Sequence, residues 1–100
     1  MSTDPTFRMT IQDVFSIKGR GTVLTGRIES GTITVGDEII IKGRNSSKKA
    51  IVAGVEVRRK VTTNAKTGDD VGILLKDIND EDVRPGDILA GSELDFTWKP

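Results

Sequence analysis

The chain has 100 residues, 35% of them apolar and only 4% aromatic, with 15 basic and 15 acidic side chains and no net charge. That length fits one domain with a small core built mostly from Val, Ile and Leu, a composition that favours strands. With neither Cys nor His, the chain holds no disulfide, no thiolate or imidazole metal site and no histidine general base.

Residues 1–6 (M-S-T-D-P-T) are polar and predict a disordered, frayed leader. From Phe7 the alternation has period two, with Phe7, Met9 and Ile11 on one face, and predicts a strand. Asp13 breaks that phase, which places a bulge near Gln12–Asp13. Val14, Phe15 and Ile17 then lead into the turn Gly19-Arg20-Gly21. The next strand, 22–29, turns Leu24, Gly26 and Ile28 one way and Val23, Thr25 and Arg27 the other.

Ser30-Gly31 and Gly36-Asp37 are turn signals on either side of a short run, 32–35. A strand at 38–42 carries Ile39, Ile40 and Ile41, followed by a polar loop at 43–47. The long strand 49–59 is expected to turn Ile51, Ala53, Val55 and Val57 inward and Val52, Gly54, Glu56 and Arg58 outward. After a connector at 62–66, Val71, Ile73 and Leu75 alternate with Gly72 and Leu74. Asn79-Asp80-Glu81-Asp82 predicts a single helical turn, Pro85-Gly86-Asp87 a reverse turn, and 87–90 a last short strand. Residues 92–100 form a C-terminal tail with Phe96 and Trp98.

No segment sustains a helical apolar stripe. Six or seven short strands between glycine turns predict an all-β fold, a closed barrel or a sandwich. The pleat puts Val23, Thr25 and Leu74 on the outer surface with Glu56 and Arg58.

The chemistry of an enzyme is missing. G-x-x-x-x-G-K-[ST] does not occur, and Gly19-Arg20-Gly21 lacks the Lys that would neutralise a triphosphate. The adjacent carboxylates Asp69-Asp70 and Asp80-Glu81-Asp82 sit near turns without acid–base partners. The sequence therefore predicts a binding module that performs no chemistry alone and needs no cofactor. No stretch is long and apolar enough for a membrane helix or a signal peptide, so the expected location is the cytoplasm, with no membrane partner. Residues 1–66 hold 12 basic and 6 acidic side chains and residues 67–100 hold 3 and 9, so the two parts carry +6 and −6. That division suits either a mixed, solvated surface or a basic patch for a polyanion beside an acidic patch for a protein.

Four collinear segments carry a resemblance: D-V-F-S-I-K-G-R-G-T-V-L-T-G-R-I-E-S-G-T-I-T-V-G-D-E from Asp13, G-V-E-V-R-R-K at 54–60, G-D-D-V-G-I-L-L-K-D-I at 68–78 and R-P-G-D-I-L-A at 84–90. Together they resemble the second domain of elongation factor Tu. The resemblance spans about residues 7–91 and implies a closed six-stranded antiparallel, Greek-key-like β-barrel, as in the second domain of translation factors. It implies a part of a larger translational GTPase that binds GTP elsewhere, or a free-standing relative. It also implies RNA binding, with the 3′ end of aminoacyl-tRNA held by the barrel. The terminal adenine would lie against Ile17, Gly19, Val23 and Leu74, and Glu56 would meet the terminal ribose. Arg59 matches an arginine near the RNA end, and Asp13, Phe15 and Thr25 match positions near the esterified amino acid. Asp70 stands where the family usually has asparagine, Arg58 where histidine is frequent, and Gln12 where glutamate is. An anionic Asp70 would disfavour a carbonyl or phosphate nearby.

Several of these residues also have a plainer reading, while Val23 and Leu74 are the least explained by the fold alone. The glycines serve turns, Phe15 and Ile17 fill the core, and Glu56 with Arg59 forms a surface ion pair. The partners implied are the aminoacyl-tRNA 3′ end and a GTPase domain or other translation-factor protein. A second functional reading is a stand-alone protein-interaction barrel that has lost RNA binding and docks through Phe96, Trp98 and the acidic segment 77–87.

Overall fold

In the computed structural model, which describes residues 3–44 and 46–92, the alternating segments become ten strands. They are β1 (Arg8–Thr10), β2 (Asp13–Ile17), β3 (Gly21–Ser30), β4 (Thr32–Thr34), β5 (Glu38–Lys42), β6 (Ser47–Val57), β7 (Lys60–Thr62), β8 (Asn64–Lys66), β9 (Asp70–Leu75) and β10 (Ile88–Ala90), with one 3-10 turn at Asp80–Asp82. Six of them close on themselves in the order β1-β10-β5-β6-β9-β3, with β3 pairing back to β1 and every pairing antiparallel. The connections from β3 to β5 and from β9 to β10 skip between non-adjacent strands, which gives the barrel its Greek-key character. Closure satisfies backbone donors and acceptors that an open sheet of this size would leave on two edges. β2 adds to β3 and β7 to β6 outside the ring, while β4 and β8 form a separate two-stranded ribbon.

The period-two pattern translates directly into the core. Phe7, Met9, Leu24, Ile33, Ile39, Ile73, Leu75 and Leu89 are fully buried. Gly31 and Gly36 take positive φ at the predicted turns, and the short run between them becomes β4. All three of Ile39, Ile40 and Ile41 are buried, so β5 is covered on both faces.

The structure corrects two details and adds to a third. The leader is not frayed over residues 3–6. The Asp4 carboxylate accepts from the N–H and hydroxyl of Thr6 and from the N–H and hydroxyl of Thr32, and the Thr3 hydroxyl donates to the Glu38 carbonyl. Donors on Thr6 and Thr32 thus tie this polar segment to the start of β4, which composition alone does not reveal. Second, the expected bulge near Gln12–Asp13 is present, since Met9 faces Ile28 but Asp13 faces Thr25 and the Gln12 N–H also donates to the Thr25 carbonyl, and a further irregularity precedes it. Met9 faces Ile28 and Arg8 faces Ser30, so the extra residue is Glu29 on β3, whose carboxylate accepts from Arg8 Nε, the Thr10 N–H and the Thr10 hydroxyl.

Third, β6 changes phase. Val52 pairs with Leu75 but Gly54 pairs with Leu74, so Ala53 is an extra residue in β6. Ala50 and Val52 face inward before the bulge, Val55 after it, and Ile51 is half exposed rather than buried. A bulge shifts a strand by one residue and so exchanges its faces. The outward placement of Glu56 survives because it follows the bulge. The tail residues Phe96 and Trp98 lie outside the described residues.

Candidate nucleic-acid interface

Two rows of cross-strand neighbours build one patch on the outside of the barrel. In the first, Phe15, Val23, Leu74 and Gly54 lie in register across β2, β3, β9 and β6. In the second, Asp13, Thr25, Gly72, Glu56 and Val61 lie in register across β2, β3, β9, β6 and β7. The two rows are offset by two residues, so their side chains share one face. Large residues (Phe15, Val23, Leu74, Glu56) surround two glycines, Gly54 and Gly72. Missing side chains at neighbouring outward positions leave a hollow in the sheet surface.

The hollow is a cleft of about 190 Å³ walled by Ile17, Val23, Leu74 and Val61, with Gly54 and Gly72 in its floor and Glu56 and Arg20 among its polar lining. A Cβ on Gly72 would sit 3.4 Å from Val23 Cγ1, and one on Gly54 would sit 3.5 Å from Leu74 Cβ. Val23 and Leu74 are half-buried, whereas Ile17 is 38% exposed, Phe15 54% and Val61 83%. Phe15 and Ile17 are therefore not core residues, which removes the plainer reading for both.

Beyond Val23 and Glu56 the same face continues as a second cleft of about 360 Å³, lined by Phe15, Thr25, Arg58, Arg59, Asp70 and Gly72 among others. Eight of the ten residues expected at the RNA end thus line these two adjoining clefts; Asp13, though in the second row, lines neither. Gly19 is set apart. It belongs to the turn after β2, with φ +78° and open space for 4 Å around the point where a Cβ would stand, and it lines a third cleft together with Ile17 and Leu74.

Asp70 and Glu56 bring two carboxylates of different character to the site. Asp70 Oδ1 accepts from Arg27 Nε at 3.1 Å, directly across the β3–β9 ladder. That hydrogen bond first, and the opposite charge second, hold the Arg27 guanidinium above its ordinary value. The carboxylate at the position usually held by asparagine is therefore balanced by an arginine on the neighbouring strand, a pairing that the sequence alone does not assign. Glu56 behaves differently. Among the described residues no ion pair joins it to Arg59, so its carboxylate is exposed at the cleft edge with its acceptors available.

Arg58 and Arg59 form the two-residue turn between Val57 and Lys60, with φ of +53° and +70°. Successive positive φ values are the geometry of a tight hairpin turn normally filled by Asn-Gly. Two arginines here hold both guanidinium stems at the rim of the 360 Å³ cleft.

Sequence reasoning misses Gly54, Gly72, Val61, Ala53 and Arg20 as lining residues. The signal is present for the glycines, which stand at outward positions in two strands. Their adjacency depends on the Ala53 bulge, which no alternation reports.

The barrel order and the outward patch meet the comparison with known families. The family model for elongation factor Tu domain 2 matches residues 21–90. That span begins at the first residue of β3 and ends at the last of β10, and it contains five of the six strands that close the ring. The chain belongs to the elongation factor Tu domain 2 family and carries the β-barrel domain of a translation factor.

Proposed function

We propose that this barrel is a non-catalytic binding domain of a translational GTPase, or a free-standing relative acting in the cytoplasm, and that it holds the 3′ end of aminoacyl-tRNA. The observation that carries the reading is the conjunction of an apolar cleft walled by Ile17, Val23 and Leu74 with the unpaired Glu56 carboxylate at its edge. Single-stranded RNA ends are recognised where a base can leave its stack and lie against apolar side chains, while polar groups meet the sugar hydroxyls. The glycine floor lets a flat ring approach the backbone. Glu56 accepts from the ribose, and Arg59, Phe15, Thr25 and Asp70 face the larger cleft that receives the esterified group. Among the described residues no helix is long and apolar enough to cross a membrane.

Titration with aminoacylated and deacylated tRNA, followed by amide NMR shifts, tests the reading. Perturbations should concentrate at 15–27, 56–59 and 70–74, and Glu56→Gln should weaken both titrations. The absence of any perturbation at low salt and high RNA concentration sinks it. The isolated barrel binds more weakly than a protein in which several domains share the RNA.

A further inference from the structure

A cleft of about 780 Å³, larger than the two already described, lies on the other side of Ile17 and Leu74 from the 360 Å³ cleft. Its floor is Thr22, Ala53, Leu74 and Ile78, and its cations are Lys18, Arg20 and Lys76. Among the described residues no carboxylate lines it, and none of the three cations is in an ion pair. In a chain whose acidic and basic residues balance, three unneutralised cations around one groove form a local excess of positive charge.

The groove is also firmly built beneath its exposed cations. The Thr22 hydroxyl, buried, donates to the Ile78 carbonyl and ties β3 to the segment after β9. A Cβ on Gly21 would collide with the Leu75 carbonyl oxygen, so the turn bearing Lys18 and Arg20 is pressed against the end of β9 that leads into Lys76. Ile17, Arg20, Ala53 and Leu74 line both this groove and the 190 Å³ cleft, so the two are one continuous surface.

We infer that this groove binds the phosphodiester backbone of the RNA strand whose 3′ nucleotide occupies the apolar cleft. The inference rests on the proposed function and adds to it a track for the preceding nucleotides. Lys18 and Lys76 neutralise phosphates, and Arg20, at the junction, spans the step between terminal nucleotide and backbone. A positively charged groove that tracks the backbone is one of the two parts of sequence-independent single-strand binding, and this groove supplies that part alone, without aromatic stacking faces.

The test uses the double variant K18A/K76A, since neither lysine lines the apolar cleft. The probes are adenosine, a single-stranded RNA oligonucleotide with a free 3′-adenosine, and a blunt RNA duplex of equal charge. Adenosine should shift the Val23 and Glu56 amides equally in the parent and the variant. For the oligonucleotide, the slope of log K against log salt should fall by about 1.4 in the variant, two phosphate contacts at about 0.7 each. The variant K18R/K76R should restore the slope. An unchanged slope in K18A/K76A, with adenosine still shifting Val23, overturns the backbone track while leaving the nucleotide cleft standing. A blunt duplex that binds the parent with the same slope as the single strand overturns the continuity. Failure of adenosine and oligonucleotide alike to bind the parent overturns the proposed function and this inference with it.

Discussion

Arg27 and Asp70 are Cα neighbours across β3 and β9, and the guanidinium closes on the carboxylate at 3.1 Å beside the cleft that Asp70 lines. Both side chains are more than half exposed, so the pair adjusts local charge far more than it stabilises the fold. Asp70→Asn should leave the melting temperature nearly unchanged. It should release Arg27 and strengthen binding of RNA most at low salt, as read from titrations at two ionic strengths. A large fall in melting temperature instead would show that the pair is structural.

The glycines of the first turn separate two costs. Gly19 has φ +78° with open space around it, whereas Gly21 has φ +135° and would drive a Cβ into the Leu75 carbonyl oxygen. Gly19→Ala should therefore destabilise by about 1 kcal/mol, the conformational cost alone. Gly21→Ala should cost about 3 kcal/mol or more, since β3 must move away from β9. Urea unfolding of the two variants measures the difference.

Arg58 and Arg59 occupy a turn that favours other residues. Replacing them by Asn and Gly should raise stability by about 1–2 kcal/mol, because both positions have positive φ. The same change should weaken RNA binding, because both guanidiniums leave the cleft rim. Stability from denaturant melts and affinity from titration should move in opposite directions.

Gly72 tests the cleft without disturbing the turns. A methyl group there meets Val23 Cγ1 at 3.4 Å, a tight but tolerable contact, and occupies the floor between Thr25 and Glu56. Gly72→Val should keep the barrel folded by circular dichroism and reduce RNA-end binding by at least about tenfold, the scale of one lost stacking contact.

Acid should loosen the N-terminal segment. Hydrogen bonds from the Thr6 hydroxyl and N–H, then from Thr32, hold the Asp4 carboxyl below its ordinary value of 3.8. A depressed folded-state value means that the stabilisation is present above the unfolded value and is lost as pH falls through the folded one. The Asp82 carboxyl, held down by Lys48 and the Asn79 N–H, follows the same sign. Melting temperatures taken from about pH 5 down to about pH 2 should fall for the parent and fall less steeply for Asp4→Asn.

Much of this architecture is legible in the sequence because its cause is local. The alternation of Met9 and Ile11, of Leu24 and Ile28, and of Val71, Ile73 and Leu75 states which side chains meet in the core, and the structure buries all of them. The outward placement of Val23, Leu74 and Glu56 follows from the same pleat. What could not be read depends on partners distant in the chain. The extra residue at Ala53 reverses the faces of half of β6, and only pairing with β9 reveals it. The neutralisation of Asp70 requires the register that brings Arg27 opposite. The short strands β7 and β8 lack alternation of their own and exist because Glu56 and Ile33 offer them edges.

Closure by β1 has a consequence for the order in which the barrel can form. Arg8 pairs with Ala90 on one side and with Ser30 on the other. A chain leaving the ribosome N-terminus first would expose the edges of β1 and β5 until Ile88–Ala90 had emerged to bridge them. Loop closure across nearly the whole sequence comes before its reward, which makes such a topology slow to fold and sensitive to aggregation while incomplete. The three residues of β10, short as they are, act as the latch that commits everything synthesised before them.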